Sequence, residues 1–223
     1  MRFFYTFFFI LTCSWAVIGQ KLPTQWRFSY DERYLIAGNQ DSGGIYDESN
    51  VKEIRLYFSQ PDYWAKLTQN YNSNIEIPCR LKYNGVDYDS VGISFKGQTS
   101  YFSNNTPKKS FNISMDAFKG NQKLEGYKTL NLNNAFQDPS FMREVLYYRL
   151  IRTHSQSAKA NFVRVYINDE DWGIYLNVQQ LNKDFLEEWY ESNDGINIRA
   201  DRPDGTSAGP GGPGGQWGDG TAG

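Results

Sequence analysis

The chain offers almost no material for holding a fold together with covalent bonds or a structural metal. It has 223 residues but one histidine and two cysteines, and Cys13 lies inside an apolar stretch at the N-terminus. These side chains cannot form a Cys/His zinc site, and without residues 1–19 only the thiol of Cys79 remains. The fold must therefore rest on a hydrophobic core, which the aromatic content of 17% favours. We expect Cys79 to be buried in a strand of that core.

The same composition narrows the chemistry that the chain could perform. His154 is the single histidine, so a catalytic group built on Ser-His-Asp or Cys-His is not expected. The net charge of −2, without a basic block, argues against nucleic acid as a partner. Any catalysis must therefore rest on Lys, Arg, Asp, Glu and Asn side chains.

The N-terminus has the composition of a secretory signal. Residues 1–19 hold one charge, Arg2, ahead of an apolar run, and we predict a signal peptide cleaved near Gln20. An uncleaved membrane anchor and a lipid-bearing Cys13 are the alternatives. With a signal peptide, the protein would be exported to an extracellular, periplasmic or cell-surface location, with no membrane contact after cleavage.

The C-terminus has a different amino-acid composition from the rest of the chain. Residues 200–223 are rich in Gly and Pro and show no apolar periodicity, which predicts a flexible segment. We interpret this segment as the place where a longer protein was cut. The predicted organisation is then a lead segment at 20–50 and a folded domain at 51–199.

Between these ends, the pattern of apolar residues predicts an α+β fold with a largely antiparallel sheet and helices on one face. Asn84-Gly85 is a strong hairpin signal, and Asp138-Pro139 begins a helix that we expect to run to about Thr153. Apolar residues cover most of that helix, so it is predicted to be a central helix covered on more than one side. The predicted order is a strand at 51–60, a short helix from Pro61, a hairpin around Asn84-Gly85, strands near 108–116 and 127–133, the central helix, a hairpin around 169–171, and a helix at 182–191.

Glu144 is the first candidate for chemistry, because it lies beside much apolar surface of the central helix. A carboxylate there should have a cationic partner, for which Lys96, Lys108 and Lys109 are candidates. Alternatively, Glu144 only favours the positive N-terminus of the helix. The polar loop at 98–107 could hold phosphates, or merely water.

Two polar clusters have simpler explanations. Asn131, Asn133, Asn134 and Asp138 could position a ligand, but turn formation and helix capping account for them equally well. The acids at 169–171 resemble a calcium site only superficially, because no further ligands follow them. We interpret them as a solvated turn.

Four segments carry a family resemblance. In chain order they are VGISFKGQTS, KKSFNISMD, GYKTLNLNNAFQDPSFMREVLYYRL and FVRVYINDEDWGIYLNVQQLNKDFL. Together they resemble the spore coat protein H (CotH) kinase family, over residues 51–199. The resemblance implies remote relatives of protein kinases, which bind ATP with Mg²⁺ and phosphorylate Ser or Thr of proteins, while fungal members act as surface invasins. It also implies a kinase-like N-lobe with one central helix, a hinge hairpin and the first C-lobe helix, with the rest of the C-lobe missing.

The same resemblance implies roles for individual residues. Glu144 would form the ion pair with a strand lysine that orients the ATP phosphates. Residues 98–107 would cover the phosphates, and 178–181 would line the adenine edge. The residues predicted to bind the cofactor are Lys96, Lys109, Gln179 and Gln180, and the choice between the two lysines is open.

The chain also departs from the family. Gln179 stands where the family usually has Glu, and the family's catalytic and metal-binding acids lie beyond the glycine-rich stretch. We therefore expect an inactive fragment of an exported Ser/Thr kinase that binds nucleotide weakly. The alternative is a cell-surface adhesion or matrix-associated module on a kinase-like scaffold, because ATP is scarce outside cells. A carbohydrate-binding protein is a third reading, without a motif to support it.

Overall fold

The secondary structure follows the predicted order. A computed structural model describes residues 43–190 except 72 and 74, together with 26–28, 35–37 and 193–194. The predicted signal peptide and the segment 200–223 lie outside these residues. The elements are β1 (Trp26–Phe28), β2 (Leu35–Ala37), a 3₁₀ helix (Gly44–Tyr46), β3 (Lys52–Tyr57), α1 (Tyr63–Gln69), β4 (Ile77–Tyr83), β5 (Val86–Lys96), α2 (Thr99–Phe102), β6 (Ser110–Ser114), β7 (Thr129–Asn133), α3 (Arg143–Arg152), β8 (Ala160–Ile167), β9 (Glu170–Gln179) and α4 (Lys183–Tyr190).

Strands β3 to β9 form a closed barrel in the order β3-β4-β5-β6-β7-β9-β8, whereas β1 and β2 pair separately. Six of the seven barrel pairings are antiparallel, which confirms the predicted α+β class and mostly antiparallel sheet. The seventh is parallel and pairs Lys52 to Leu56 with Val163 to Ile167. Closure was not predicted, because this last pairing joins segments far apart in sequence.

Two tight turns connect neighbouring strands of the barrel. Asn84 and Gly85 both have positive φ, at 47° and 78°, as the predicted Asn-Gly hairpin requires. Asn168 and Asp169 form the second turn, also with positive φ. Asp169 accepts a hydrogen bond of 2.8 Å from the Tyr57 hydroxyl, and Asp171 pairs with Arg164. The hairpin predicted to be a hinge thus contributes two full strands to the barrel.

The barrel interior holds the main hydrophobic core. Side chains alternate along each strand, so Leu130 and Leu132 of β7 point inward. Ile45 and Tyr46, from the predicted lead segment, are fully buried in the same core. The Asn161 amide donates to the Ile45 carbonyl at 2.9 Å, which fixes the 3₁₀ helix against the strands. The end of the lead segment, at Ile45 and Tyr46, is therefore part of the core packing.

Cys79 lies in β4 and is buried, as predicted. Its thiol is within 3.4 Å of the Tyr57 carbonyl oxygen. Burial raises the pKa of the Cys79 thiol to about 12, against smaller opposing effects of that carbonyl contact and of Arg80. The thiol is therefore protonated at neutral pH and serves as a small core side chain.

Helix α3 differs from the predicted central helix in its start and in its packing. It begins at Arg143 rather than Pro139, because Phe141 has a φ of 59° that no right-handed helix accepts. It packs on β8 and β9 through one face, centred on Val145. Three of its apolar side chains, Leu146, Tyr147 and Leu150, are about half exposed or more, as is Met142 just before the helix. The prediction of cover on more than one side is thus wrong within the part of the chain that the structure describes, because a barrel presents only one outer surface to a helix.

Two leucine truncations distinguish the core from the outer helix. Leu132→Ala should lower the free energy of unfolding by about 2–5 kcal/mol, because it leaves a cavity in the barrel interior. Leu146→Ala, at a side chain 49% exposed, should change it by less than about 0.5 kcal/mol. Urea unfolding of both variants measures the difference. Equal losses would mean that α3 is covered and would contradict the packing described above.

Candidate functional site

The outer face of the barrel carries a row of polar side chains next to α3. Asn131 and Asn133 point outward from β7, between the inward-pointing leucines. A cavity of about 670 Å³ lies at this face, within the range of small-molecule sites. Its lining residues are Lys96, Gly97, Gln98, Thr99, Ser100, Ser110, Asn133, Asn134, Ala135, Phe136, Gln137, Asp138, Arg143, Glu144 and Leu176.

Lys96 ends strand β5 on one wall of this cavity. Its Nζ donates a hydrogen bond of 2.9 Å to Oδ1 of Asn131. Burial lowers the pKa of Lys96 to about 8, although the negative charge of Glu144 opposes the shift. The hydrogen-bond partner of Lys96 is thus a neutral amide. The positive charge of the lysine therefore remains available to an anion.

Glu144 lies in the first turn of α3 on the neighbouring wall. Nδ2 of Asn133 donates to both carboxylate oxygens, at 2.8 and 3.0 Å. The strand and the helix are thereby tied together at the site. Among the described residues no ion pair joins Lys96 to Glu144 directly, but the carboxylate is near enough to favour the charged lysine. The structure therefore places two of the predicted residues in one cavity.

The loop after β5 forms the rim of the cavity. Gly97 has a φ of 85°, a conformation that favours glycine, and a Cβ there would lie 2.2 Å from the hydroxyl of Ser100. Lys109 stabilises the continuation of this loop, because its Nζ donates to the carbonyl oxygens of Tyr101 at 2.8 Å and Asn104 at 2.6 Å. The loop is thus supported at the edge where Lys96 enters the cavity.

The other two candidate lysines do not line the cavity. Lys109 is engaged by the loop carbonyls, and Lys108 donates to the Ile174 carbonyl at 2.7 Å. Lys108 also lies 4.7 Å from the centre of the Tyr175 ring. Of the three lysines considered as partners of Glu144, Lys96 alone shares its cavity.

The two glutamines at the end of β9 point in different directions. Oε1 of Gln180 accepts a hydrogen bond of 2.8 Å from Asn131, the residue that also holds Lys96. Gln179 is opposite the inward-facing Leu130 and is buried, and its Nε2 donates to Glu188 at 2.6 Å. The structure thus brings Gln180 next to the lysine network and leaves Gln179 in a separate one.

Three site residues were missing from the predicted set. Asn131 and Asn133 were noticed as a polar cluster that capping could equally explain, and the structure shows that they hold Lys96 and Glu144. Arg143 lines the cavity and was not singled out. Its position next to Glu144 in the sequence was the available signal. Of the other members of the cluster, Asp138 accepts the backbone N–H of Arg143 at 2.8 Å, and Asn134 donates to the Lys108 carbonyl at 2.7 Å.

The family follows from a comparison with known proteins. A model of the family described as CotH kinase protein matches residues 93–215, which is more than half of the chain. The chain belongs to the CotH kinase family. The match includes Lys96, the loop from Gly97 to Ser100 at the rim of the cavity, and Glu144, so the cavity lies inside the CotH region. The resemblance inferred from the four sequence segments is thereby confirmed.

A curated member is recognisably similar to this CotH chain. It is the inner spore coat protein H of Bacillus subtilis (strain 168), which is 26% identical over 141 residues. The alignment covers 63% of this chain and 37% of that protein. The chain thus spans little more than a third of the length of its relative.

Two further findings concern residues of the CotH chain that the structure describes. They contain no group of three or more His, Cys, Asp or Glu side chains that could hold a metal ion. No helix among them is both long enough and apolar enough to cross a membrane.

The lowered pKa of Lys96 predicts a dependence of stability on pH. Between about pH 8 and pH 10.5, the unfolded lysine keeps a proton that the folded one has lost. The contribution of Lys96 to the free energy of unfolding should therefore rise with pH across this window, by about 1–3 kcal/mol, whereas the raised pKa of the Cys79 thiol acts in the opposite direction above about pH 9. Lys96→Met should remove this rise, because it removes the titrating group.

Denaturant unfolding at closely spaced pH values measures the effect. The exposed Lys66 provides the matched control, and Lys66→Met should keep the rise. Parallel curves for the parent and Lys96→Met would show that Lys96 does not titrate in this window.

Proposed function

We propose that this chain forms the nucleotide-binding part of a CotH-type protein kinase. The observation that carries the proposal is the presence of Lys96 and Glu144 in one cavity, each held by an asparagine of β7. In this proposal the barrel with α3 corresponds to a kinase N-lobe, the end of β9 to the hinge, and α4 to the first C-lobe helix. The family match supports it independently.

Each side of the cavity has a role in this proposal. Lys96 would bind the phosphates nearest the nucleoside, because an amine there is a compact positive charge with three donors. Glu144 would keep the lysine charged and oriented. The rim loop from Gly97 to Ser100 would cover the phosphates with backbone N–H groups. Gln180 would lie at the edge of the base, since Asn131 links it to Lys96.

For the whole protein we propose phosphoryl transfer to Ser or Thr of a protein. The hydroxyl oxygen of the acceptor would form a bond to the γ-phosphorus while the bond to the β,γ-bridging oxygen breaks, releasing ADP and the hydroxyl proton. The described residues do not fit a Mg²⁺ site, because Glu144 is held by Asn133 and Asp138 caps backbone N–H groups. In this proposal, the residues that take the proton and bind metal are therefore not among those described.

We also propose that the protein is exported to the cell surface or beyond. The predicted signal peptide at 1–19 supports this location, and so does the name of the Bacillus subtilis relative, an inner spore coat protein. The proposed partners are then a protein substrate at the surface and ATP.

Nucleotide binding by the 223-residue chain tests the proposal. Titration with a non-hydrolysable ATP analogue should show saturable binding, and Lys96→Met should weaken it about tenfold or more, because a charge-assisted contact is lost. Glu144→Gln should weaken it less, since the lysine itself remains. Calorimetry gives the dissociation constants.

Two lysine variants are the controls. Lys66→Met removes an exposed charge that does not line the cavity and should leave binding unchanged. Lys109→Met should have a smaller effect than Lys96→Met, because Lys109 only supports the loop. Equal effects of the Lys96 and Lys109 changes would refute the assigned lysine. A parent chain that binds no nucleotide would favour the adhesion or matrix-associated module instead.

A further inference from the structure

Arg143 is a cation of the cavity that the roles above do not use. It is the first residue of α3, lines the same cavity as Lys96, and has a side chain 74% exposed. Its Nη1 donates a hydrogen bond of 3.0 Å to the carbonyl oxygen of Gln137. A guanidinium has five N–H donors, so most of its hydrogen-bonding capacity faces away from the protein groups described.

The negative charge next to Arg143 compensates it only weakly. Nε of Arg143 lies 3.7 Å from Oδ1 of Asp138, which is long for a hydrogen bond. The same carboxylate already accepts the Ser140 hydroxyl at 2.5 Å and the Arg143 backbone N–H at 2.8 Å. The guanidinium therefore keeps a charge and donors that can bind an anion entering the cavity.

The order of groups along the site indicates which part of a nucleotide reaches Arg143. Gln180 contacts Asn131, and Asn131 contacts Lys96, but Gln180 does not line the cavity. The cavity thus includes Lys96 and Arg143 and does not reach Gln180. A nucleotide with its base near Gln180 and its inner phosphates at Lys96 would direct its terminal phosphate toward Arg143.

We propose that Arg143 binds the terminal phosphate of a nucleoside triphosphate and so makes the site prefer triphosphates to diphosphates. Arginine suits this role because its planar fork can donate two parallel hydrogen bonds to one phosphate. The inference rests on the proposed nucleotide function and adds the residue that distinguishes the two nucleotides.

The simpler explanation is a surface ion pair between Arg143 and Asp138. Exposed pairs of this kind contribute about 0–1 kcal/mol to stability and have no reason to affect one nucleotide more than another. The ratio of triphosphate to diphosphate affinity therefore separates the two explanations, whereas stability alone does not.

The test measures dissociation constants of ADP and of a non-hydrolysable ATP analogue for the 223-residue chain, with Mg²⁺ present throughout. The parent should bind the triphosphate more tightly. Arg143→Gln should weaken triphosphate binding about tenfold and diphosphate binding less than about twofold. Arg143→Lys should recover part of the loss, because it restores the charge but not the fork.

Arg149 provides the matched control on the same helix. Its side chain is 68% exposed and lies 3.6 Å from Glu48, but it does not line the cavity. Arg149→Gln should leave both affinities unchanged. Thermal unfolding of each variant checks that the chain is folded at the binding temperature.

The possible outcomes separate this inference from the proposed function. Equal weakening of both nucleotides by Arg143→Gln, or no change in either, would overturn the role of Arg143 while nucleotide binding by the parent stands. A parent that binds neither nucleotide would overturn the proposed function, and the inference would fall with it.

Discussion

The parallel pairing of β3 with β8 is the constraint on which the rest of the structure depends. It closes the barrel, so every strand from β3 to β9 has two neighbours and the sheet has no open edge. Closure also gives each strand a definite inner and outer face. On β7 this division sends Leu130 and Leu132 into the core and leaves Asn131 and Asn133 outside. The polar wall of the cavity is therefore a direct consequence of the barrel.

The two outward asparagines explain how opposite charges are kept at one site without neutralising each other. Asn131 accepts a hydrogen bond from Lys96, and Asn133 donates to Glu144. Amides satisfy the polar groups of both ions but carry no net charge, so the electrostatic cost of partial burial remains and lowers the pKa of Lys96. An anionic ligand would relieve that cost, which gives a physical reason for phosphates to bind here. Arg143 adds a second, mostly exposed positive charge to the cavity lining.

The position of α3 follows from where the hydrophobic core lies. The barrel interior, completed by Ile45 and Tyr46, buries the apolar side chains on which stability depends, and the helix is added outside. Its contact with β8 and β9 is small, yet Glu144 ties it to β7 through Asn133. The helix thus positions residues of the site while contributing little to the hydrophobic core. Three of its apolar side chains are exposed as a result.

Local patterns determined much of the fold and part of the site. Period-2 alternation predicted the strands, Asn84-Gly85 predicted a turn, and the apolar setting of Cys79 predicted its burial, because each depends on neighbouring residues alone. The motif around Glu144 similarly indicated the family. Tertiary structure alone decided barrel closure, the exposure of α3, and which side chains come together at the site: Lys96 rather than Lys109, Gln180 rather than Gln179, and Arg143 in the cavity lining. These depend on strand register and on pairing between distant segments, since a shift of one residue turns every side chain to the other face.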